Sequence, residues 1–164
     1  MTHPFEQHWT SFDRNARQAF RRAYMHSREQ GSGRIRTRSL FGALIGLNPP
    51  SLAPLLEDLP DRALPDPVPA DDERSNEDLS RIQPDLSPCV RTSVRKLGSV
   101  TDESEQRTAL DVFVDLARHG AGSTVSTMRA TGVTADHIEE LLRKNDLSAT
   151  DRNGSCGPDE DAST

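Results

Sequence analysis

FDRNARQAFRRAYMHSREQGSGRIRTRSLFGALI, residues Phe12–Ile45, decides how the rest of the chain is read. Phe12, Ala16, Phe20 and Ala23 recur at helical spacing with Ala19 alongside, so the stretch opens on an amphipathic helix. Arg14, Arg17, Arg21 and Arg28 lie off that stripe and share one outward face. Ser11 is the expected N-cap, its hydroxyl accepting one of the backbone N–H groups left open at a helix start. The helix is expected to stop at Gly31-Ser32-Gly33, where glycine admits backbone angles closed to other residues. Thr37 or Ser39 is expected to cap a second helix. Leu40, Phe41, Leu44 and Ile45 give that helix a face broad enough for it to be largely buried. Gly42 and Ala43 are small, so a neighbouring helix is expected to approach closely there.

Downstream, Asn48-Pro49-Pro50 ends the second helix. Ser51 is expected to cap a short third one carrying Leu52, Leu55 and Leu56. Residues 60–85 read as an acidic, proline-rich linker: prolines 65, 67 and 69 favour extended backbone, and Asp71 to Glu77 has no periodicity. A second half begins at Leu86. Ser87-Pro88 is a helix start, followed by Val90, Val94 and Leu97, then a polar break over Thr101 to Gln106. From Thr108 a broad apolar face runs through Ala109, Val112, Phe113, Leu116 and Ala117. A short helix carries Val125 and Met128, and Thr134 caps a last one with Ile138, Leu141 and Leu142. The lead-in, residues 1–8, is expected to be flexible, with Trp9 packed on the first helix, and the acidic tail 145–164 to be disordered.

Apolar residues make up 33% of the chain and aromatics 4%, too few for every segment to bury enough surface to offset its chain entropy. The net charge of −6 is unevenly spread. Eight arginines and one acid, Glu29, lie between Arg14 and Arg38; nine acids and two arginines lie between Glu57 and Asp78. Such blocks fit either a linker that lies over a basic helix or a basic face held ready for an acidic partner. Cys89 and Cys156 have no metal-binding spacing, and a reduced, cytoplasmic protein is expected. No apolar run is long enough to span a membrane, and no signal peptide is visible.

The two halves echo one another. Phe12, Ala16, Phe20 and Ala23 match Leu86, Val90, Val94 and Leu97 at a spacing of 74. Leu40 and Leu44 match Val112 and Leu116 at 72, and Leu52 and Leu55 match Val125 and Met128 at 73. The expected fold is therefore all-α, two pseudo-repeats of a short-helix bundle over residues 9–144, with repeat one at 9–59 and repeat two at 86–144.

In order and spacing this pattern resembles the double repeat in the N-terminal domain of Clp-type AAA+ chaperones. Phe12-Asp13 stands for that family's opening, Ala16 to Ala23 for its first helix, Gly31-Ser32 for its break and Thr37-Arg38-Ser39-Leu40-Phe41 for its second motif. In the second half Leu86-Ser87-Pro88, Ala109-Leu110-Asp111-Val112-Phe113, Gly120 and Gly132-Val133-Thr134 take the corresponding places. The resemblance implies a helical protein-interaction module that recruits substrates to a Clp-type unfoldase or regulates one, with the Clp-type ATPase or its substrates as partner. Arg38 and Leu110 stand where the motif has glutamates. In some members that glutamate helps to bind phosphoarginine, and an arginine in its place repels a guanidinium. Repeat one lacks a fourth helix, and no Walker-type glycine-rich loop is present.

Other chemistry has little to stand on. His3, His8, His26, His119 and His137 have no diagnostic spacing to a serine or cysteine nucleophile, so no catalytic residue is assigned and no enzyme is expected. No His-x3-His or Cys-x2-Cys is present, so no metal or cofactor is expected. The residues assigned to protein binding are Arg14, Arg17, Arg21, Arg28, Arg36 and Arg38. The alternative is a small helical DNA-binding or regulatory protein using the same Arg14–Arg38 face. The acidic balance, the eighteen arginines against two lysines and the lack of interleaved aromatics weigh against nucleic acid.

Overall fold

Asp13, not Ser11, starts the first long helix. A computed structural model describes residues 3–68, 79–99, 106–120 and 122–147, and among these the chain is mostly helical. The Asp13 carboxylate accepts from the Ala16 N–H at 2.8 Å. Asp13 caps here and Ser11 does not, because Ser11 closes the 3-10 turn Trp9–Ser11 and Phe12 is drawn into extended backbone by a neighbouring segment. Arg107 N donates to the Ser11 carbonyl at 2.7 Å, and Asp13 N donates to the Arg107 carbonyl at 2.8 Å.

The helices are α1 (Pro4–His8), α2 (Arg14–Glu29), α3 (Thr37–Leu47), α4 (Ala53–Glu57), α5 (Leu79–Ile82), α6 (Pro88–Gly98), α7 (Ala109–His119), α8 (Ser123–Ala130) and α9 (Ala135–Lys144). Two very short strands, β1 (Arg34–Ile35) and β2 (Asp85–Leu86), pair in parallel with Ile35 opposite Leu86. A single parallel bridge joins Phe12 to Arg107. The backbone before α2 is thus held by the backbone before α7, and the backbone before α3 by the backbone before α6.

Around these bridges the apolar stripes close into one core. All the matched positions of the two halves, from Phe12 with Leu86 to Leu55 with Met128, are buried. α2 packs on α3, α6 on α7, and α3 meets α7. At that last contact the rings of Phe41 and Phe113 stand edge to face, with centroids 5.1 Å apart. Phe41 and Phe113 are themselves separated by 72 residues, the offset of the surrounding helices. The end of α9 is tied back to the first half: Asn145 Nδ2 donates to Asp58 at 2.8 Å, and Lys144 approaches the same carboxylate at 3.7 Å.

Two expectations are corrected, on the lead-in and on the small face of α3, and the linker is found anchored at Leu79 as its apolar end suggests. The lead-in over residues 1–8 is helical from Pro4, and Phe5 is fully buried. Its ring packs edge-on against Trp9 and Phe20, each at 4.9 Å, and one aromatic residue in the core holds a short segment that its polar neighbours would not. The linker is anchored at both described ends, by Val68 and Leu79 in the core and by β2; residues 69–78, its charged part, lie outside the described residues. The small face of α3 receives not a helix but the extended segment 65–68, whose Val68 N–H donates to the Gly42 carbonyl at 2.9 Å. The polar break at 101–105 and the tail from 148 onward also fall outside the described residues.

Candidate basic cleft

Arg34-Ile35-Arg36-Thr37-Arg38 alternates, and the fold uses the alternation: Ile35 and Thr37 are buried, while Arg36 and Arg38 are exposed and Arg34 is partly so. The β1–β2 pairing extends the chain at Arg34 and Ile35, so that their side chains point to opposite sides; Arg36 continues extended, and Thr37 and Arg38 are the first residues of α3. Arg36 holds the N-cap position of α3. A guanidinium carries no acceptor, so it cannot cap as Asp13, Thr108 and Thr134 do at α2, α7 and α9. Only Ser39 helps, its hydroxyl accepting from the Arg36 N–H at 3.0 Å. At the equivalent start of α7, Thr108 accepts from the Asp111 N–H while the Asp111 carboxylate accepts from Thr108 N at 2.7 Å. The start of α3 therefore carries positive charge where the start of α7 carries negative.

Arg34, Arg36 and Arg38 line a cleft of about 570 Å³ together with His26, Ser27 and Gln30 from the end of α2, Ser32, Ser39, and Asp66, Pro67 and Val68 from the linker. Among the described residues that line it, the acidic side chain is Asp66. Arg34 is held from behind by Asp85, Nε to Oδ2 at 2.8 Å, and Arg91 reaches the same carboxylate at 3.8 Å. A smaller cavity of about 250 Å³ lies on the other side of Arg38, which shares it with Ala63, Leu64, Pro65 and residues of α8.

The assigned arginines thus divide into two groups. Arg36 and Arg38 belong to the cleft, whereas Arg14, Arg17, Arg21 and Arg28 do not line it. Arg14 is exposed on α2. Arg17 Nε turns back to the Asp13 carbonyl at 3.4 Å. Arg21 lies over the Trp9 ring at 5.4 Å and Arg28 over the Tyr24 ring at 5.6 Å, both cation–π contacts. Arg34, His26 and Asp66 were not assigned from sequence. The alternation around Ile35 is the signal that carried Arg34, whereas Asp66 reaches the cleft through tertiary packing alone.

Among the described residues no group of three or more His, Cys, Asp or Glu is placed to hold a metal ion. Nor, among them, is any helix long and apolar enough to cross a membrane. Cys89 is buried. Compared with known proteins, the chain shows no significant match to a family model, a curated protein or a solved structure.

Proposed function

We propose that this chain is a non-catalytic protein-interaction module built from two pseudo-repeats of the Clp N-terminal type, and that it recruits substrates to a Clp-type unfoldase or regulates one. The observation that carries the reading is the exchange of bridges. Each half lends the backbone before its second helix to the backbone before the first helix of the other, Phe12 with Arg107 and Ile35 with Leu86. The hydrogen bonds correspond as well: Asp13 N to Arg107 O at 2.8 Å has its counterpart in Ser87 N to Ile35 O at 2.9 Å. Asp13 and Ser87 are the N-caps of α2 and α6 and lie 74 residues apart, the spacing of the apolar stripes. The Phe41–Phe113 contact sits between the two bridges as a self-matching pair. Among the described residues the halves differ at the end, where the 3-10 turn Asp61–Ala63 stands in the place that α9 takes in the second half.

The contact surface in this reading is the arginine face of α2, Arg14, Arg17, Arg21 and Arg28, continued by Arg36 and Arg38. The test is capture of a purified Clp-type hexamer by the immobilised chain. The triple reversal of Arg14, Arg17 and Arg21 to glutamate is expected to abolish capture, with circular dichroism confirming that the variant is folded. Undiminished capture by a folded triple variant removes the α2 face from the account, and no capture by the wild-type chain removes the recruitment reading.

A further inference from the structure

We propose that the glycine face of α3 is a docking groove for an extended Pro-Val segment of a partner protein, and that residues 64–68 are a built-in strap which such a segment displaces. This surface is apart from the arginine face of α2 and does not depend on a Clp-type partner.

Gly42 and Gly46 stand about one turn apart on α3, so their missing side chains leave a trough along the helix. The extended chain lies in it. A Cβ on Gly42 would meet the Asp66 carbonyl at 2.7 Å and the Val68 side chain at 3.0 Å, and one on Gly46 would meet the Val68 carbonyl. Glycine lets two backbones come this near. At that range the Val68 N–H donates to the Gly42 carbonyl at 2.9 Å, using the second lone pair of an oxygen inside the helix. The trough belongs to one half of the chain. At the offset of 72 that matches Leu40 with Val112, α7 carries Val114 and Arg118 in place of the two glycines. Two glycines weaken a helix interior, and the α7 sequence shows that a helix of this length does without them.

The strap holds on lightly. Val68 is buried and Leu64 partly so, whereas Asp66 and Pro67 are exposed. Pro65 and Pro67 have no N–H to offer. Among the described residues, the backbone bond that holds segment 64–68 is the one from Val68 to Gly42. The groove therefore reads a backbone and one branched apolar side chain. A proline before the valine fixes its own φ and keeps the residue before it extended, so the segment already has the shape that the trough accepts. A partner presenting the same pair makes the same contacts, and the outcome turns on concentration. The tethered strap competes at an effective concentration on the order of millimolar.

The probe is an N-terminally labelled, amidated peptide Leu-Pro-Asp-Pro-Val, the sequence of residues 64–68, followed by fluorescence anisotropy with the full chain. Val68→Ser, which loosens the strap, is expected to bind it about tenfold or more tighter than the wild-type chain does. Adding Gly46→Ala to that variant is expected to abolish binding without loss of stability, because alanine is the better helix former once the strap has left. Methylating the valine nitrogen of the peptide is expected to abolish binding as well. In the wild-type chain, excess peptide is expected to speed hydrogen exchange at the Val68 amide, and this measurement decides if Val68→Ser does not fold. The proposal is overturned by a folded Val68→Ser chain that does not bind, by binding that survives Gly46→Ala, or by Val68 exchange indifferent to the peptide. Dimerisation of the wild-type chain that the peptide abolishes also overturns it, because the groove then serves the strap of a second copy. Hexamer capture is a separate assay on a separate surface, so a chain that fails with the peptide but captures the hexamer loses only the groove.

Discussion

The charge of His8 is tied to the fold. Burial lowers its pKa from the ordinary 6.5; a hydrogen bond to the Gly98 backbone works in the opposite direction, and the charge of Arg95 adds to the lowering. The folded state therefore binds this proton less readily than the unfolded chain does. The stability that the neutral ring confers is complete above the unfolded value and is lost as the pH falls below it. Urea unfolding at neutral and mildly acidic pH is expected to show less acid destabilisation in His8→Asn than in the wild-type chain. Equal slopes in the two proteins exclude His8 as the cause. The sequence announced the residue but not its role, because Gly98, on whose face the ring lies, is 90 residues away. Helix caps show the same limit. Thr134 was legible, since nothing competes for its backbone. Ser11 and Thr37 were misread, because bridges formed with distant segments moved the helix starts to Asp13 and Arg36.

At the scale of elements, periodicity placed α2, α3, α6, α7, α8 and α9 well, since a stripe repeating every three to four residues is a property of the segment itself. It missed α1, whose five residues bury only Pro4 and Phe5, and the two strands, which are two residues each. Such short pieces carry no period and are stabilised by what they meet. The α3 surface is the instructive case. Its small residues were legible, but not the kind of chain they admit. A Cβ on Gly42 would lie 2.7 Å from the Asp66 carbonyl, and one on Gly46 would run into the Val68 backbone. Alanine is the better helix former by about 1 kcal/mol, yet the clash is with backbone and has no easy relief. Gly42→Ala is therefore expected to destabilise the chain by a net of about 1–2 kcal/mol, measured by denaturant unfolding. A neutral or stabilising result is evidence against close docking of segment 65–68. The same variant is expected to disturb the cleft, because that segment carries Asp66 to its rim.

The whole molecule is organised about the meeting of α3 and α7. Six of the seven aromatic side chains fall into two groups: Phe5, Trp9, Phe12 and Phe20 at the base of α2, and Phe41 with Phe113 between the halves. A chain with 4% aromatics spends them where helices from distant parts of the sequence must be held together. In a double-mutant cycle, Phe41→Ala and Phe113→Ala are each expected to cost about 3–5 kcal/mol, with a coupling of roughly 0.5–1.5 kcal/mol between them. If the chain does not tolerate alanine, the same cycle with leucine keeps the coupling measurable. Zero coupling contradicts the ring contact. The mostly helical class was legible because apolar stripes of helical period imply helices. The basic cleft was only half legible, because its arginines alternate within five residues of sequence while Asp66 and the end of α2 arrive through the fold.

The bridges also bear on how the protein is made. As the chain leaves the ribosome, residues 12 and 35 emerge long before residues 107 and 86, to which they bond. The first half can wind its helices while it waits, since helix formation is local and fast. It cannot complete its backbone pairing, and the apolar side of α3 that carries Phe41 stays open until α7 arrives. Such an exposed, unfinished surface is what chaperones attend to during synthesis. A chain built this way matures in one late step, when the last helices close over both halves at once.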